Sequence, residues 1–239
     1  MKHPGVITGL RREAACLDGL AAQGTFRVLC AGANAARARA RQLIDEGCDG
    51  LVSFGLAGGL DPARPPGTLV LADRVLGPDG QSLPTDAAWR ERLGHTLRAA
   101  GKGFPFEIAV APLAGSDHLI AEVAAKAELF AKTGAVAVDM ESHGVGEIAQ
   151  AGGVPFLVLR AIADPADMAL PSSVRRSVGV NGGVRVLPIL GGLALRPREI
   201  GAVAALAGHS RKALRSLRQA ATLGAPRFRL DMEKAGALP

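Results

Sequence analysis

Aromatic side chains are scarce in this chain of 239 residues. Seven phenylalanines, one tryptophan and no tyrosine together make up 3% of the sequence. Proteins that bind single-stranded nucleic acid commonly stack the bases on aromatic rings, and that material is largely missing here. Because the sequence also contains no recognised nucleic-acid-binding motif, we disfavour nucleic acid as a partner.

Cysteines and long apolar runs are scarce as well. The three cysteines, Cys16, Cys30 and Cys48, form neither a CxxC pair nor a zinc-binding spacing, so we expect buried, reduced thiols and no metal site. The longest apolar candidate, residues 184–195, is too short to span a membrane as a helix. The N-terminus leads directly into a strand, which predicts no signal peptide and a cytoplasmic protein.

The composition is typical of one folded domain. Hydrophobic residues make up 48% of the chain, and neither a repeat nor a linker divides residues 1–239. The net charge of +6 is concentrated in arginine clusters. Some of these lie in a basic helical C-terminal part, about residues 172–222, before a tail, about residues 223–239, that we expect to be mobile. The clusters either form a solvated surface or attract anionic lipid headgroups, and both interpretations stay open.

Apolar runs and helical periodicities alternate along the chain, which predicts an α/β protein. We expect strands at residues 6–10, 26–30, 68–73, 106–112, 136–140 and from 156, and one from residue 50 that ends in a glycine loop. We expect helices at residues 11–22, 35–46, 85–100, 121–132, 141–150 and 197–221. Asn34 and Thr85 are the expected N-caps of two of these helices.

Four acids lie at or just beyond the ends of two predicted strands. Asp139 and Glu141 follow the first strand, and Asp164 and Asp167 follow the second. Because ligands of open α/β sheets bind at the carboxyl ends of the strands, we expect these carboxylates to converge on one small molecule.

Two blocks within this stretch resemble elements of the nucleoside phosphorylase and nucleosidase superfamily, which cleaves N-glycosidic bonds of nucleosides. Asp139-Met140-Glu141 is similar to its ribose-binding E-M-E element, and residues 160–164, RAIAD, are similar to its R-A-I-S-D element. The resemblance implies a single-domain three-layer sandwich, phosphorylase/hydrolase-like, with a mixed twisted central β-sheet flanked by helices. It also implies that no cofactor or metal is needed and that two subunits pair as a homodimer.

A glycine-rich block, residues 50–60, resembles the family segment S-T-G-S-A-G-G-L. The resemblance implies that Ala57 and Gly58 contact the nucleoside. Leu56 stands where phosphorolytic members have a phosphate-binding hydroxyl, and Ser53 stands where some have an arginine. These changes disfavour phosphorolysis, because a buried phosphate needs several hydrogen bonds. Substitution of the missing donors by Arg11 or Arg12 stays open.

Residues 115–120, GSDHLI, resemble the S-G-D-x-F-I loop of the family, which implies that Leu119 and Ile120 sandwich the base. Members with nucleosidase activity carry a glutamate just after the first strand, where it activates the attacking water. Glu13 is the candidate for this role, although a first-turn acid that suits the helix dipole is the structural alternative.

The resemblance and the chemistry of the reaction together assign roles to the acids. Asp164 is the candidate catalytic acid that protonates N7 of the departing purine, and it needs a pKa raised by burial, for which we expect an apolar strand end at residues 160–162. Glu141 accepts hydrogen bonds from the ribose hydroxyls, Met140 packs on the sugar, and Asp139 orients the loop. The structural alternatives are a helix-capping Asp164 and a Glu141 that serves only the helix N-terminus.

The form D-M-E-S-H-G-V at residues 139–145 and the arginine-rich C-terminal part resemble the hopanoid-associated branch of the superfamily. That resemblance implies release of adenine from adenosylhopane, with water, or phosphate in a phosphorolytic version, as the nucleophile. It further implies a lipid nucleoside substrate and contact with the inner face of an anionic membrane. A non-catalytic nucleoside- or lipid-binding protein is the alternative from a different class.

Overall fold

The computed structural model describes residues 3–24, 26–30, 35–101, 105–175 and 197–225. These residues contain eight strands that form one sheet. The strands are β1 (Gly5–Thr8), β2 (Arg27–Cys30), β3 (Leu51–Gly59), β4 (Leu69–Leu76), β5 (Ser82–Pro84), β6 (Ile108–Gly115), β7 (Ala137–Asp139) and β8 (Phe156–Asp164).

Eight α-helices accompany the sheet within the same ranges. They are α1 (Arg11–Ala14), α2 (Asp18–Ala22), α3 (Ala36–Asp45), α4 (Ala87–Ala99), α5 (Val123–Thr133), α6 (Ser142–Ala151), α7 (Ser172–Arg175) and α8 (Ile200–Gly224). A 3₁₀ turn, Pro197–Glu199, leads into α8. The predicted succession of strands and helices is therefore confirmed in its order.

Part of the sheet closes into a ring of five strands. β3 pairs in parallel with β8, β8 antiparallel with β4, β4 in parallel with β6, β6 in parallel with β7, and β7 antiparallel with β3. β1 and β2 extend the sheet from β3 in parallel, and β5 pairs antiparallel with β4. The predicted α/β architecture with a mixed central sheet is confirmed, and the closure brings the carboxyl ends of β3 and β8 together beside β7.

Two hydrophobic clusters hold the helices against the sheet. The first packs α4 and α8 on the sheet and includes Trp89, Leu159 and Leu217. The second packs α3 and α6 and includes Leu43 and Val145. Strand side chains alternate between the two faces of a sheet, so β8, which is buried along its whole length, contributes to both clusters. A strand buried on both faces provides a rigid support for the side chains at its end.

Several local predictions are wrong. The helix predicted over residues 11–22 is divided into α1 and α2, and the glycines after Phe54 belong to β3 rather than to a loop, because they continue its pairing with β7 and β8. Thr85 does not cap α4, since its hydroxyl donates to the carbonyl oxygen of Ala72 at 2.7 Å. Asp86 is the cap, and its carboxylate accepts a 2.7 Å hydrogen bond from the backbone N–H of Trp89. Residues 82–84, for which the sequence predicted neither a strand nor a helix, form β5.

Some predictions fall on parts of the chain outside the described residues. These are the turn at residues 32–34 with its Asn34 cap, most of the region 172–195, and the tail from residue 226 onward. Cys16 and Cys48 are buried free thiols, whereas the free thiol residue Cys30 is half-buried. None of the helices in the described ranges combines the length and the hydrophobicity needed to cross a bilayer.

Candidate functional site

A cleft of about 540 Å³ opens where the carboxyl ends of β3, β7 and β8 meet. This volume is within the usual range for small-molecule sites. The strand ends form its floor, the loop before α1 and the segment after β7 form one wall, and α8 forms the opposite wall. Gly58 lies at the centre of the floor, because it pairs with Val138 of β7 and with Asp164 of β8.

Glu13 is a buried acid that faces this cleft from α1. One carboxylate oxygen, Oε2, accepts hydrogen bonds from the backbone N–H groups of Gly9 and Leu10, both at 2.8 Å. The other, Oε1, accepts one from the N–H of Leu56, also at 2.8 Å. Burial raises the pKa of Glu13 above its ordinary value, while the nearby Arg160 guanidinium and the three backbone donors oppose that rise. Glu13 thus caps the N-terminus of α1 and at the same time presents a carboxylate to the cleft.

Arg160 is a fully buried cation in the middle of the acids. Its Nε atom lies 2.6 Å from Oδ2 of Asp139, and its NH2 atom lies 3.3 Å from Oε2 of Glu141. The same NH2 donates to the hydroxyl of Ser53 at 2.6 Å. Because an unpaired buried charge is very costly, these partners make Arg160 the electrostatic centre that holds the acids together.

Asp139 and Glu141 play different structural parts at the end of β7. Oδ1 of Asp139 accepts a 3.0 Å hydrogen bond from the backbone N–H of Ser142, and its Oδ2 accepts one from the Ser142 hydroxyl, so this acid fixes the start of α6. Both acids line the cleft, but the side chain of Glu141 makes no cap hydrogen bond to α6. Burial, opposed by the charge of Arg160 and reinforced by that of Asp139, raises the pKa of Glu141 to about 8. A carboxyl with this pKa is largely protonated at neutral pH.

Two glycines allow the acids to lie this close to the strands. A Cβ atom on Gly9 would be 2.7 Å from Oε1 of Glu141. One on Gly55 would be 2.6 Å both from Cδ of Glu13 and from NH1 of Arg160. Real Cβ contacts are not this short, so a side chain at either position would displace the charged groups.

Asp164 ends β8 and faces the cleft, but its surroundings differ from the prediction. The expected apolar strand end at residues 160–162 is wrong, because Arg160 belongs to the charged cluster. In addition, the buried Lys126 of α5 donates from Nζ to Oδ2 of Asp164 at 2.5 Å. Burial still raises the pKa of Asp164 above its ordinary value, and the Lys126 ammonium opposes that rise.

The loop between β6 and α5 forms the remaining border of the site. Leu119, of which 40% is exposed, lines the cleft, and Ile120 lines a recess of about 50 Å³ that adjoins it. Beneath the loop, Nε2 of the buried His143 lies 3.1 Å from Oδ1 of Asp117. An apolar pair at the cleft edge can pack on the faces of a flat base.

One face of α8 forms an apolar wall over the cleft. Residues three and four apart share a face of a helix, and the contributing residues follow that spacing: Val203, Leu206, Ala207, Ser210, Arg211 and Leu214. In the next turns one side of the helix is buried in the core, through Ala213, Ser216, Leu217, Ala220, Ala221 and Gly224. One side of α8 therefore packs on the core and another lines the cleft, while its basic residues Arg211, Lys212, Arg215 and Arg218 are exposed.

The structure brings the predicted site residues together. Of the residues predicted for the site, those that line the cleft are Glu13, Ala57, Gly58, Leu119, Asp139, Met140, Glu141 and Asp164. Asp167, by contrast, is exposed in the turn after β8. Among the described residues, no group of three or more histidine, cysteine, aspartate or glutamate side chains could hold a metal ion.

Sequence reasoning missed two buried cations and the wall of α8. A signal for Arg160 was present, since a charged residue inside a fully apolar strand needs acidic partners. Lys126 carries no comparable signal, because it lies in an ordinary amphipathic helical pattern. The wall of α8 could be inferred only from its packing.

The chain is similar in sequence to two enzymes of known name. The chain is 28% identical over 184 residues to a 5′-methylthioadenosine/S-adenosylhomocysteine nucleosidase of Mycobacterium tuberculosis, with 60% of this chain and 72% of that protein covered. It is 34% identical over 127 residues to the futalosine hydrolase of Streptomyces coelicolor, with 49% and 54% covered.

Solved structures share the fold. A 5′-methylthioadenosine/S-adenosylhomocysteine nucleosidase of Neisseria meningitidis, in complex with methylthio-immucillin-A, superposes with a TM-score of 0.68 at 14% identity, covering 95% of this chain and 99% of that one. The futalosine hydrolase of Helicobacter pylori superposes with a TM-score of 0.62 at 14% identity, covering 92% and 97%. Residues 16–178 match the family model of the phosphorylase superfamily, so the chain belongs to that superfamily.

Proposed function

We propose that this protein is an enzyme, a nucleosidase that hydrolyses the N-glycosidic bond of an adenine nucleoside and releases adenine. The observation that carries the proposal is the convergence of three acids, Glu13, Glu141 and Asp164, from three separate elements on one cleft. The nucleosidase and hydrolase names of the relatives support the same reaction class.

The departing base and the attacking water each need a proton transfer. Asp164, whose pKa burial raises above its ordinary value, is the acid that gives a proton to N7 of the purine as the bond from C1′ to the base breaks. Glu13 takes a proton from the water whose oxygen bonds to C1′. The products are neutral adenine and the free sugar, and the two carboxyl groups return to their starting states by exchange with solvent.

The sugar becomes positively charged as the bond breaks, so the site must stabilise an oxocarbenium ion. In this proposal Glu141 binds the ribose hydroxyls; both Glu141 and Met140 line the cleft, which supports this role. A carboxyl with a pKa of about 8 needs little free energy to ionise at neutral pH, and the developing cation would favour its ionised form.

Water is a better nucleophile than phosphate for this cleft. The backbone N–H of Leu56, a donor that phosphate could use, already donates to Glu13 at 2.8 Å. A carboxylate in that position repels an anion, and Arg160 behind it is already paired with Asp139 and Glu141. Phosphorolysis to a ribose 1-phosphate product, with Arg12 at the cleft as the phosphate ligand, is the alternative that the test below separates.

We further propose that the nucleoside substrate carries an apolar substituent on its 5′ carbon. The substrate is then adenosylhopane and the product ribosylhopane. The wall of α8 supports it, together with apolar Leu10, Leu170 and Val174 on the same cleft. Burial of each methylene group contributes about 0.8 kcal/mol. In a series of 5′-alkyl adenosines, each added methylene should therefore lower KM about threefold to fourfold until the wall is covered. A KM that stays constant along the series would contradict the apolar substituent but would leave the proposed nucleosidase activity intact.

The decisive experiment is the release of adenine from such nucleosides with and without phosphate, with mass spectrometry of the sugar product. We expect release without phosphate and a product that contains an oxygen from labelled water. Strict dependence on phosphate would replace the hydrolase by a phosphorylase, and tight binding without turnover would indicate a non-catalytic binding protein.

Asp164→Asn tests the acid directly, because the amide keeps the shape of the carboxyl but has no proton of suitable acidity to give. We expect kcat to fall by roughly 10²–10⁴-fold, the usual contribution of general acid catalysis. Asp167→Asn, three residues further along in the exposed turn, is the matched control and should retain full activity.

For a lipid nucleoside we further propose a homodimeric cytoplasmic protein that contacts the inner face of an anionic membrane. Exposed Arg211 and Arg12 at the cleft and Arg215 one turn further along α8 support this surface. Flotation with anionic but not with neutral vesicles is the expected result, and Arg211→Glu with Arg215→Glu should abolish it. Light scattering measures the mass of the protein in solution, and the mass of a single chain would contradict the dimer.

A further inference from the structure

Lys126 is an unusual residue for its helix. It is the buried residue of α5, with no exposed surface, although most of its neighbours on that helix are exposed. Burying an ammonium group costs several kcal/mol unless it is fully paired. A position that faces the protein interior would ordinarily be filled by an apolar side chain.

The ammonium group of Lys126 has three hydrogen-bond partners. Nζ donates to Oδ2 of Asp164 at 2.5 Å, to the backbone oxygen of Pro165 at 2.8 Å and to that of Met168 at 2.9 Å. An ammonium has three protons, so all of them are used. Lys126 itself does not line the cleft, whereas Asp164 does.

This contact joins two parts of the site into one unit. Oδ2 of Asp164 is taken by Lys126, which leaves Oδ1 as the oxygen for the leaving base. The turn at Pro165–Met168 is held by the same ammonium, and the N–H of Leu170 donates to the backbone oxygen of Ala121 at 2.9 Å. Because α5 follows the loop of Leu119 and Ile120, these hydrogen bonds link the acid to the proposed base-binding residues.

We propose that Lys126 is a positioning residue for glycosidic cleavage, one that directs a single oxygen of Asp164 at the leaving base and sets the pH range in which this acid works. The inference rests on the proposed function. In the reaction the proton of Asp164 passes to the base nitrogen, while Lys126 keeps all its protons. The ammonium then neutralises the carboxylate that remains, until Asp164 takes a new proton from solvent.

Lys126 from α5 and His209 from α8 both oppose the rise in the pKa of Asp164 that burial causes, and Lys126 does so more strongly. A general acid is active in its protonated form, so the rate falls as the pH rises through its pKa. Removing the positive charge at residue 126 should raise that pKa further and move the alkaline limb of the profile of kcat/KM to higher pH. An opposite charge in contact shifts a carboxyl pKa by about 1–3 units, and this is the expected displacement.

The experiment compares the pH profiles of the wild type, Lys126→Met, Lys126→Arg and His209→Gln, all as the full chain. In Lys126→Met we expect the displaced alkaline limb and a plateau of kcat lowered roughly tenfold or more, with KM nearly unchanged. Lys126→Arg keeps the charge and should return the limb to the wild-type position. His209→Gln removes the smaller of the two opposing contributions to the pKa of Asp164, so its displacement should be smaller. An unchanged limb and plateau in Lys126→Met would overturn the inference and leave the proposed function intact.

A second measurement does not depend on activity. The carboxyl of Asp164, followed by ¹³C NMR in the substrate-free protein, should titrate at a higher pH in Lys126→Met than in the wild type. If the wild type releases no adenine from any nucleoside, the proposed function fails, whatever this titration shows. If every Lys126 variant unfolds while Asp164→Asn folds normally, Lys126 serves stability alone and the positioning role is wrong.

Discussion

Glu141→Gln should make the protein more resistant to unfolding at alkaline pH. The amide is close in shape to the protonated carboxyl, and its oxygen can still accept from NH2 of Arg160, which lies 3.3 Å from Oε2 of Glu141. The variant therefore preserves the neutral state of the site and removes only its ability to ionise.

The size of the effect follows from the pKa. Burial, opposed by Arg160, raises the pKa of Glu141 from the ordinary 4.5 to about 8. Between these values the folded protein holds a proton that the unfolded chain has released, so the contribution of Glu141 to the stability is full below pH 4.5 and falls until about pH 8. At 1.36 kcal/mol per unit the upper limit is about 5 kcal/mol. Coupling with Asp139 and Glu13 spreads the titration, and we expect roughly 2–5 kcal/mol.

Urea unfolding at pH 5, 7 and 9, read from the fluorescence of the single tryptophan, measures this difference. Trp89 has no exposed surface, so its emission reports loss of the core. The midpoints of wild type and Glu141→Gln should coincide at pH 5 and separate at pH 9, with the variant higher. Glu91→Gln, an exposed acid on α4, is the control and should stay within about 0.5 kcal/mol of the wild type. Parallel pH curves for wild type and Glu141→Gln would refute a protonated Glu141.

Three further substitutions test other parts of the site. Gly55→Ala should lower the free energy of unfolding by about 1–3 kcal/mol in a urea titration, because its Cβ would lie 2.6 Å from charged atoms; Gly19→Ala, with no atom near its Cβ, should be neutral or stabilising, and equal effects would contradict the steric argument. Glu13→Gln should lower kcat about 10²-fold or more, and also destabilise by about 1–3 kcal/mol, since one of its backbone donors would then face an amide N–H₂. Leu206→Asp should raise KM for a long-chain 5′-alkyl adenosine tenfold or more and leave adenosine unaffected, so an equal change for both would argue against the apolar wall.

Much of the fold could be predicted because local patterns and tertiary packing agree along most of the chain. The apolar run after Pro155 becomes β8, and the periodic segment that follows β7 becomes α6. The prediction failed where tertiary contacts compete with local preference. Residues 11–22 do not continue as one helix, and Thr85 uses its hydroxyl on the carbonyl of Ala72 instead of on the helix.

The candidate site shows the same division. The acids at the ends of β7 and β8 could be assigned to one site, because ligands of α/β sheets bind at the carboxyl ends of strands. Their charge states could not be predicted, because these depend on buried cations from other parts of the sequence. Arg160 reaches Asp139 and Glu141 across the sheet, and Lys126 reaches Asp164 from a helix 38 residues away in sequence.

The order of amino acids alone was enough to define the class of fold, the superfamily motifs and the acids of the cleft, because short-range periodicity and contiguous motifs carry that information. Packing in three dimensions decided which of those acids hold a proton and what covers them. The pKa of a buried carboxyl depends on burial and on charges within a few ångströms. The wall that α8 forms over the cleft likewise exists only once the chain has folded back on itself.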